Sequence, residues 1–139
     1  MSKTLLYRLF KAGSIPEAHR RTIENEGTLL YDEGIGGSIT FRNYRAPGRY
    51  SSWRKNWFTG SVVLTHQHIL CFAFSKVLVG LSWEEANTKQ LEFTLEDGDA
   101  LTIEYDASLF LEGASGSITL RYKTTLADQM MRKIQELTE

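Results

Sequence analysis

The sequence predicts a mainly β, α+β fold. The expected form is a seven-stranded, bent antiparallel sheet, a partly open barrel, capped by a C-terminal amphipathic helix and preceded by an N-terminal helical extension. Three observations carry that reading. Apolar residues recur at period two through most of the chain after Gly27, which is the spacing of half-buried strands. Glycine-rich or polar breaks separate those runs. Helical spacing returns only after Thr125, on a segment long enough to cover an opening that a short barrel cannot seal alone.

The elements follow in order. Leu5, Leu6, Leu9 and Phe10 cluster on one helical face, with Lys3, Arg8 and Lys11 elsewhere. Ser14 and Glu17 have capping-box spacing, Pro16 suits a first turn, and Gly27 suits a helix stop. Thr28 to Asp32 reads as a strand, Gly34 to Gly37 as a flexible turn, and Ser38 to Arg42 as the next strand. Pro47-Gly48 marks a loop tip. Trp53 to Phe58 and Ser61 to Thr65 form an aromatic-rich strand bent at Gly60. Ile69 to Phe74 and Val77 to Leu81 are nearly all apolar, which predicts two strands at the centre of the sheet. Leu91, Phe93 and Leu95 alternate, Asp97-Gly98 supplies a tight turn, and Leu101, Ile103 and Tyr105 return. A loop with Gly113 and Gly116 leads to Ile118, Leu120 and Tyr122. Thr125 and Asp128 have the spacing of a capping pair, and Leu126, Ala127, Met130, Met131, Ile134 and Leu137 form the apolar face of the last helix. The expected organisation is a helical extension at 1–26 and one sheet domain at 27–139.

Composition narrows the function classes. The chain has 139 residues, 42% hydrophobic, and its 16 Lys+Arg nearly balance 17 Asp+Glu, which excludes disorder and argues against wholesale nucleic-acid binding. That balance hides a split. Residues 1–60 carry ten Lys+Arg against five Asp+Glu, whereas residues 61–139 carry six against twelve. A local anion site and electrostatically driven self-association are both compatible with such halves. The one cysteine, Cys71, cannot close an intramolecular bridge, which fits a reducing compartment. The longest uninterrupted apolar run is Ile69 to Phe74, far short of a membrane span, and Met1 to Gly13 lacks a signal-peptide core. The expected location is cytoplasmic, with peripheral membrane attachment where an anionic lipid is the ligand.

Three short segments resemble pleckstrin-homology-like (PH-like) domains of the GRAM and bacterial PH-like kinds. Trp53-Arg54-Lys55-Asn56-Trp57-Phe58 resembles their tryptophan-basic-aromatic strand. Val63-Leu64-Thr65 followed by Ile69-Leu70-Cys71-Phe72 resembles the GRAM hairpin. Asp97-Gly98, then Ile118 to Thr124 leading into a helix, resembles the closing strand-helix junction. Two features depart from the family. No tryptophan stands in the closing helix, and the basic-any-arginine spacing of phosphoinositide binders is absent between Arg42 and Lys55. The resemblance implies a non-catalytic binding or adaptor domain whose early hairpin loop holds the ligand.

The most unusual stretch is Arg42 to Trp57. It contains Arg42, Arg45, Arg49, Arg54 and Lys55 with no acidic residue, interleaved with Tyr44, Tyr50, Trp53 and Trp57. Guanidinium forks suit phosphate and carboxylate, and amphipathic aromatics suit a headgroup layer. The anion- or lipid-binding candidates are therefore Arg42, Arg45, Arg49, Arg54, Lys55 and Tyr50. The same stretch also reads as a solvated basic loop whose tryptophans are core residues. Elsewhere the chemistry is sparse. His66 and His68 lack a third ligand at a metal-site spacing, His19 reads as exposed, and the glycines at 34, 36 and 37 precede no Lys-Ser or Lys-Thr pair. Cys71 lies in an apolar run that disfavours the thiolate, and Glu84 and Glu85 read as surface charge. No catalytic residue, metal or cofactor is expected. The partner is an anionic membrane surface, an unidentified protein or a second copy of the chain. A small ligand-carrying or enzymatic barrel is the third class.

Overall fold

A computed structural model describes residue 15 and residues 17–88 and 91–138. The predicted helical face of Leu5, Leu6, Leu9 and Phe10, and the Ser14 and Pro16 helix start, lie outside the described residues. The order of elements is α1 (Glu17–Glu26), β1 (Thr28–Ala46), β2 (Arg49–Thr65), β3 (His68–Ala73), β4 (Lys76–Ser82), α2 (Trp83–Thr88), β5 (Glu92–Glu96), β6 (Ala100–Asp106), a 3₁₀ turn at Ala107–Leu109, β7 (Ser115–Lys123) and α3 (Ala127–Thr138). All seven strands belong to one open antiparallel sheet, ordered β4-β3-β2-β1-β7-β6-β5.

The glycines at 34 to 37 do not form a turn. They lie within the 19-residue β1, which pairs with β2 from Thr28↔Thr65 to Ala46↔Arg49. The register slips between Glu33 and Ile35, where Gly34 takes a φ of 70°. A bulge bends a strand without ending it, and glycine accepts that backbone at no steric cost. Beyond the bulge, Gly37 to Arg45 also pairs with β7. β1 thus serves two half-sheets, β4-β3-β2 on one side and β7-β6-β5 on the other.

The halves fold toward each other around one core of Ile35, Val62, Leu64, Ile69, Cys71, Leu101, Ile103, Leu120 and Tyr122. The Tyr122 hydroxyl crosses that core and donates to the Phe72 carbonyl at 3.1 Å. Two strand glycines lie where neighbouring strands leave no room for a side chain. A Cβ on Gly60 would collide with that same Phe72 carbonyl, and one on Gly37 would sit 2.6 Å from Phe58 and 2.8 Å from the Arg121 carbonyl.

α3 closes the open end through Ala127, Met130 and Ile134. Its start is organised by Thr124 and not by the expected Thr125–Asp128 pair. Thr124 accepts from the Leu126 amide at 3.1 Å and donates to the buried Asp32 carboxylate at 2.7 Å. Asp128 instead pairs with Arg132 one turn on, at 2.8 Å. The exposed Thr125 cannot supply what an Asp32 reaching across from β1 supplies.

β3 and β4 lie toward one edge and do not form the centre, which belongs to β1. β3 is apolar because both its faces are covered. Ile69 and Cys71 enter the main core, while Phe72 and Leu70 join Ile15, Ile23 and Val63 beneath α1. His19, read as exposed, is half-buried with its ring 5.4 Å from that of Phe72. The turn after β2 fastens α1. The Thr65 hydroxyl donates to Glu26 Oε1 at 2.8 Å and accepts from the His68 amide at 2.9 Å. His68 Nδ1, in the tautomer protonated there, donates to the same carboxylate oxygen at 2.8 Å. Asp97 and Gly98 take φ angles of 54° and 76° in the β5–β6 turn, the positive pair that Asp-Gly favours in hairpins. α2, not expected from periodicity, starts with a capping box in which Ser82 Oγ accepts from the Glu85 amide and Glu85 Oε1 accepts from the Ser82 amide, both at 3.1 Å.

Two outcomes follow from this packing. Gly60→Val should lower stability by about 2 kcal/mol or more, because backbone must move, whereas Gly48→Ala at the open hairpin tip should cost less; urea unfolding midpoints compare them. Partial burial disfavours the Glu26 carboxylate, but the hydrogen bonds from His68 and Thr65 and the attraction of His68 outweigh it, so its pKa sits below the ordinary 4.5. A folded-state pKa that is depressed adds stability above the unfolded value and loses it as pH falls through the folded value. Stability should therefore decline below about pH 4.5. Glu26→Gln should remove that part of the decline in urea titrations at stepped pH.

Candidate functional site: a basic-aromatic hairpin

The far half of the β1–β2 hairpin projects beyond the β3–β4 turn. β2 pairs with β1 along its whole length, yet with β3 only over Gly60 to Leu64. Pro47 and Gly48 close the tip, in the order that suits a type II turn. Side chains alternate between the two faces. Arg42 stands beside Trp53, Thr40 beside Lys55 and Ser38 beside Trp57 on the outer face, away from the core.

The structure distributes the expected residues among three places. Arg42 and Lys55 share the outer face with the two tryptophans. Arg42 Nη1 donates to Thr119 Oγ1 at 3.0 Å, and Lys55 Nζ lies 4.2 Å from the Trp57 ring centroid. Arg45, Arg49 and Tyr50 gather at the tip, with the Arg45 guanidinium 4.9 Å from the Tyr50 ring centroid. Arg54 takes the opposite face, stacked 4.5 Å from the Phe41 ring centroid, and its buried Nε has no hydrogen-bond partner. None of these five cations makes an ion pair among the described residues.

The reading of the hairpin tryptophans as core is corrected by their exposure. Trp53 and Trp57 are 61% and 69% exposed, and Tyr50 is 60% exposed. The core aromatic of the hairpin is Tyr44. Asn43 has a φ of 51° and the β1–β7 register slips between Arg42 and Arg45, which turns Tyr44 inward against Phe41 at 5.0 Å between centroids. Strict alternation would have sent it outward. The buried tryptophan is Trp83, whose Nε1 donates to the Thr65 carbonyl at 2.9 Å.

Two cations missed in the sequence adjoin the site. Arg121 and Lys123 alternate on the outer face of β7 and, with Trp57 and the Gly36-Gly37 backbone, line a shallow recess of about 140 Å³. Their i,i+2 spacing in a strand was the available signal. Arg121 Nε already donates to Glu96 at 3.0 Å. Farther along the same face, Glu92 and Glu104 stand opposite each other on β5 and β6, so the face runs from cationic at β2 to acidic at β5. A second cavity, of about 160 Å³, lies between α1 and β1, lined by Ile15, Arg20, Ile23, Glu24, Thr28 and Tyr31.

Cys71 and two core tyrosines are sequestered by burial. Complete burial pushes the Cys71 thiol well above its ordinary pKa, so it carries no thiolate at neutral pH. Burial likewise raises Tyr105 and Tyr122. His68 is engaged by Glu26, and no group of three potential metal ligands occurs among the described residues. No helix among the described residues is long and apolar enough to cross a membrane. No family model matches the chain, and no curated protein matches it.

The exposures set a clear expectation for substitution. Trp57→Ala should change unfolding free energy by no more than about 0.5 kcal/mol, as surface positions do. Trp83→Ala should cost about 3 kcal/mol or more through lost packing. Urea denaturation followed by circular dichroism, which does not rely on the removed indole, checks both.

Proposed function

We propose that the chain is a non-catalytic binding module of the PH-like kind that docks on an anionic membrane surface through the β1–β2 hairpin. The observation that carries this reading is the joint exposure of Tyr50, Trp53 and Trp57 beside Arg42, Arg45, Arg49 and Lys55, with no acidic residue between Arg42 and Trp57. Indole and phenol rings partition to the bilayer interface, where an apolar body and a polar edge are both accommodated. Each cation near an anionic leaflet adds about 1 kcal/mol, screened by salt. Two consecutive runs of strands, β1–β4 and β5–β7, joined through β1 and β7, and the helix over the open end support the PH-like part. A second reading, a protein-interaction module, is favoured by the Arg49–Phe58 edge of β2, which no strand pairs among the described residues.

Sedimentation with phosphatidylserine-containing vesicles tests the proposal. The protein should pellet with them at low salt, and binding should weaken as salt rises. Arg45→Glu combined with Arg49→Glu should abolish it, and Trp53→Ala combined with Trp57→Ala should weaken it by about tenfold or more, as loss of inserted aromatic area requires. Absence of pelleting at low salt rejects the membrane reading.

A further inference from the structure

From Arg49 through Phe58, β2 has β1 on one side and no strand on the other among the described residues. This free edge is about 33 Å long, at roughly 3.3 Å per residue. In an antiparallel ladder alternate residues turn both backbone groups toward the same neighbour, so every second residue here points its N–H and C=O outward. Proteins ordinarily blunt such an edge by shortening it, bulging it, placing proline in it or charging it. β2 uses only the last. The register from Ile35↔Gly60 to Ala46↔Arg49 runs without a slip, and no proline lies between Arg49 and Phe58.

What the edge does carry is charge of one sign. Arg49, Arg54 and Lys55 lie on it without any acid. A second copy pairing antiparallel about Ser52 would set Arg49 opposite Lys55, and pairing about the Arg54–Lys55 bond would set those two opposite each other. Like charges across a strand pair are destabilising, so the edge opposes its own kind and favours an acidic strand. The flanks suit such an occupant. Trp53 and Trp57 rise exposed on the outer face, and Phe74 lies exposed at the turn where its amide donates to the Thr59 carbonyl at 2.8 Å and β3 leaves β2. On the other face, Arg54 brings a guanidinium whose Nε is unpartnered.

We propose that the Arg49–Phe58 edge of β2 receives an extended acidic segment of a partner protein as an eighth, antiparallel or parallel strand of the sheet. This goes beyond the membrane reading and does not depend on it: the vesicle would meet side chains of the tip and outer face, the peptide the backbone of the edge. Main-chain hydrogen bonds supply the affinity, and Arg49, Arg54 and Lys55 select the acidic sequence.

The probe is a peptide of alternating Glu and Val, long enough to span the edge, with an alternating Lys and Val peptide as control. Amide hydrogen exchange on the full chain reads the result. The Glu peptide should slow every second amide between Arg49 and Phe58 by about tenfold or more, and the Lys peptide should not. Methylating alternate peptide nitrogens separates the two faces of the added strand: one methylated series should lose binding and the other keep it. Arg54→Glu with Lys55→Glu should weaken the Glu peptide by about tenfold or more. Equal binding of both methylated series, or no protection by the Glu peptide at low salt, overturns the proposal. So does protection of the same amides without peptide that tracks self-association in sedimentation velocity. Because the vesicle assay reads the tip independently, failure here leaves the membrane reading standing, and the reverse holds.

Discussion

The close approach of the two half-sheets, at the point where Tyr122 donates across the core to the Phe72 carbonyl, is the constraint on which the other features rest. β1 is long enough to pair with β2 on one side and β7 on the other, but a flat sheet of that width would leave one core face open to water. Bending brings Ile35, Leu64 and Ile69 against Leu101, Leu120 and Tyr122. Each such side chain, when buried, contributes about 1.5–3 kcal/mol. Around that point neighbouring strands pack so closely that Gly37 and Gly60 have no room for a Cβ. Those two positions are therefore set by backbone proximity and not by turn formation.

Once the sheet bends, the surfaces that remain are few and different from one another. α3 takes the open end, where Asp32 and Thr124 organise its first turn. α1 and the preceding Ile15 cover the outer face of the β3 half, with Ile15 and Ile23 packed against Val63 and Phe72, and Glu26 locks the end of the helix to Thr65 and His68. Neither helix covers the outer face of the hairpin. Arg42, Arg45, Arg49 and Lys55 are displayed on that face and at the hairpin tip, while Glu92, Glu96, Glu104 and Asp106 lie on β5 and β6. Charge on these strands is thus separated in space, cationic at β2 and acidic at β5.

The candidate site was legible as composition but not as arrangement. Five cations without an acid between Arg42 and Trp57 are visible to simple reading. Their division among an outer face, a tip and an inner face is not, because the bulge at Asn43 resets alternation and only the paired register reveals it. The same limit applies to tryptophan. Trp53, Trp57 and Trp83 look equally suited to a core, yet the first two stand beyond the reach of β3 and only Trp83 finds the Thr65 carbonyl for its indole N–H. Arg121 and Lys123 join the outer face through a strand that lies far from the hairpin in sequence and beside it in the sheet.

Local chemistry suffices for whatever depends on neighbours in the chain. The period-two runs, the Asp97-Gly98 turn with its two positive φ angles, and the apolar stripe of α3 all followed from residue order. So did the class of fold, seven antiparallel strands closed at one end by a helix. Long-range pairing settled the rest. The run from Ile69 to Phe72 is apolar on both faces whether a strand is central or merely covered by a helix, and only the placement of α1 separates the two. Gly34 to Gly37 suits a turn or a bulged, closely packed strand equally well, until β2 and β7 pair with it on either side. Exposure of the hairpin, and the free edge of β2, follow from where β3 stops pairing, a contact between segments whose meeting no local pattern encodes.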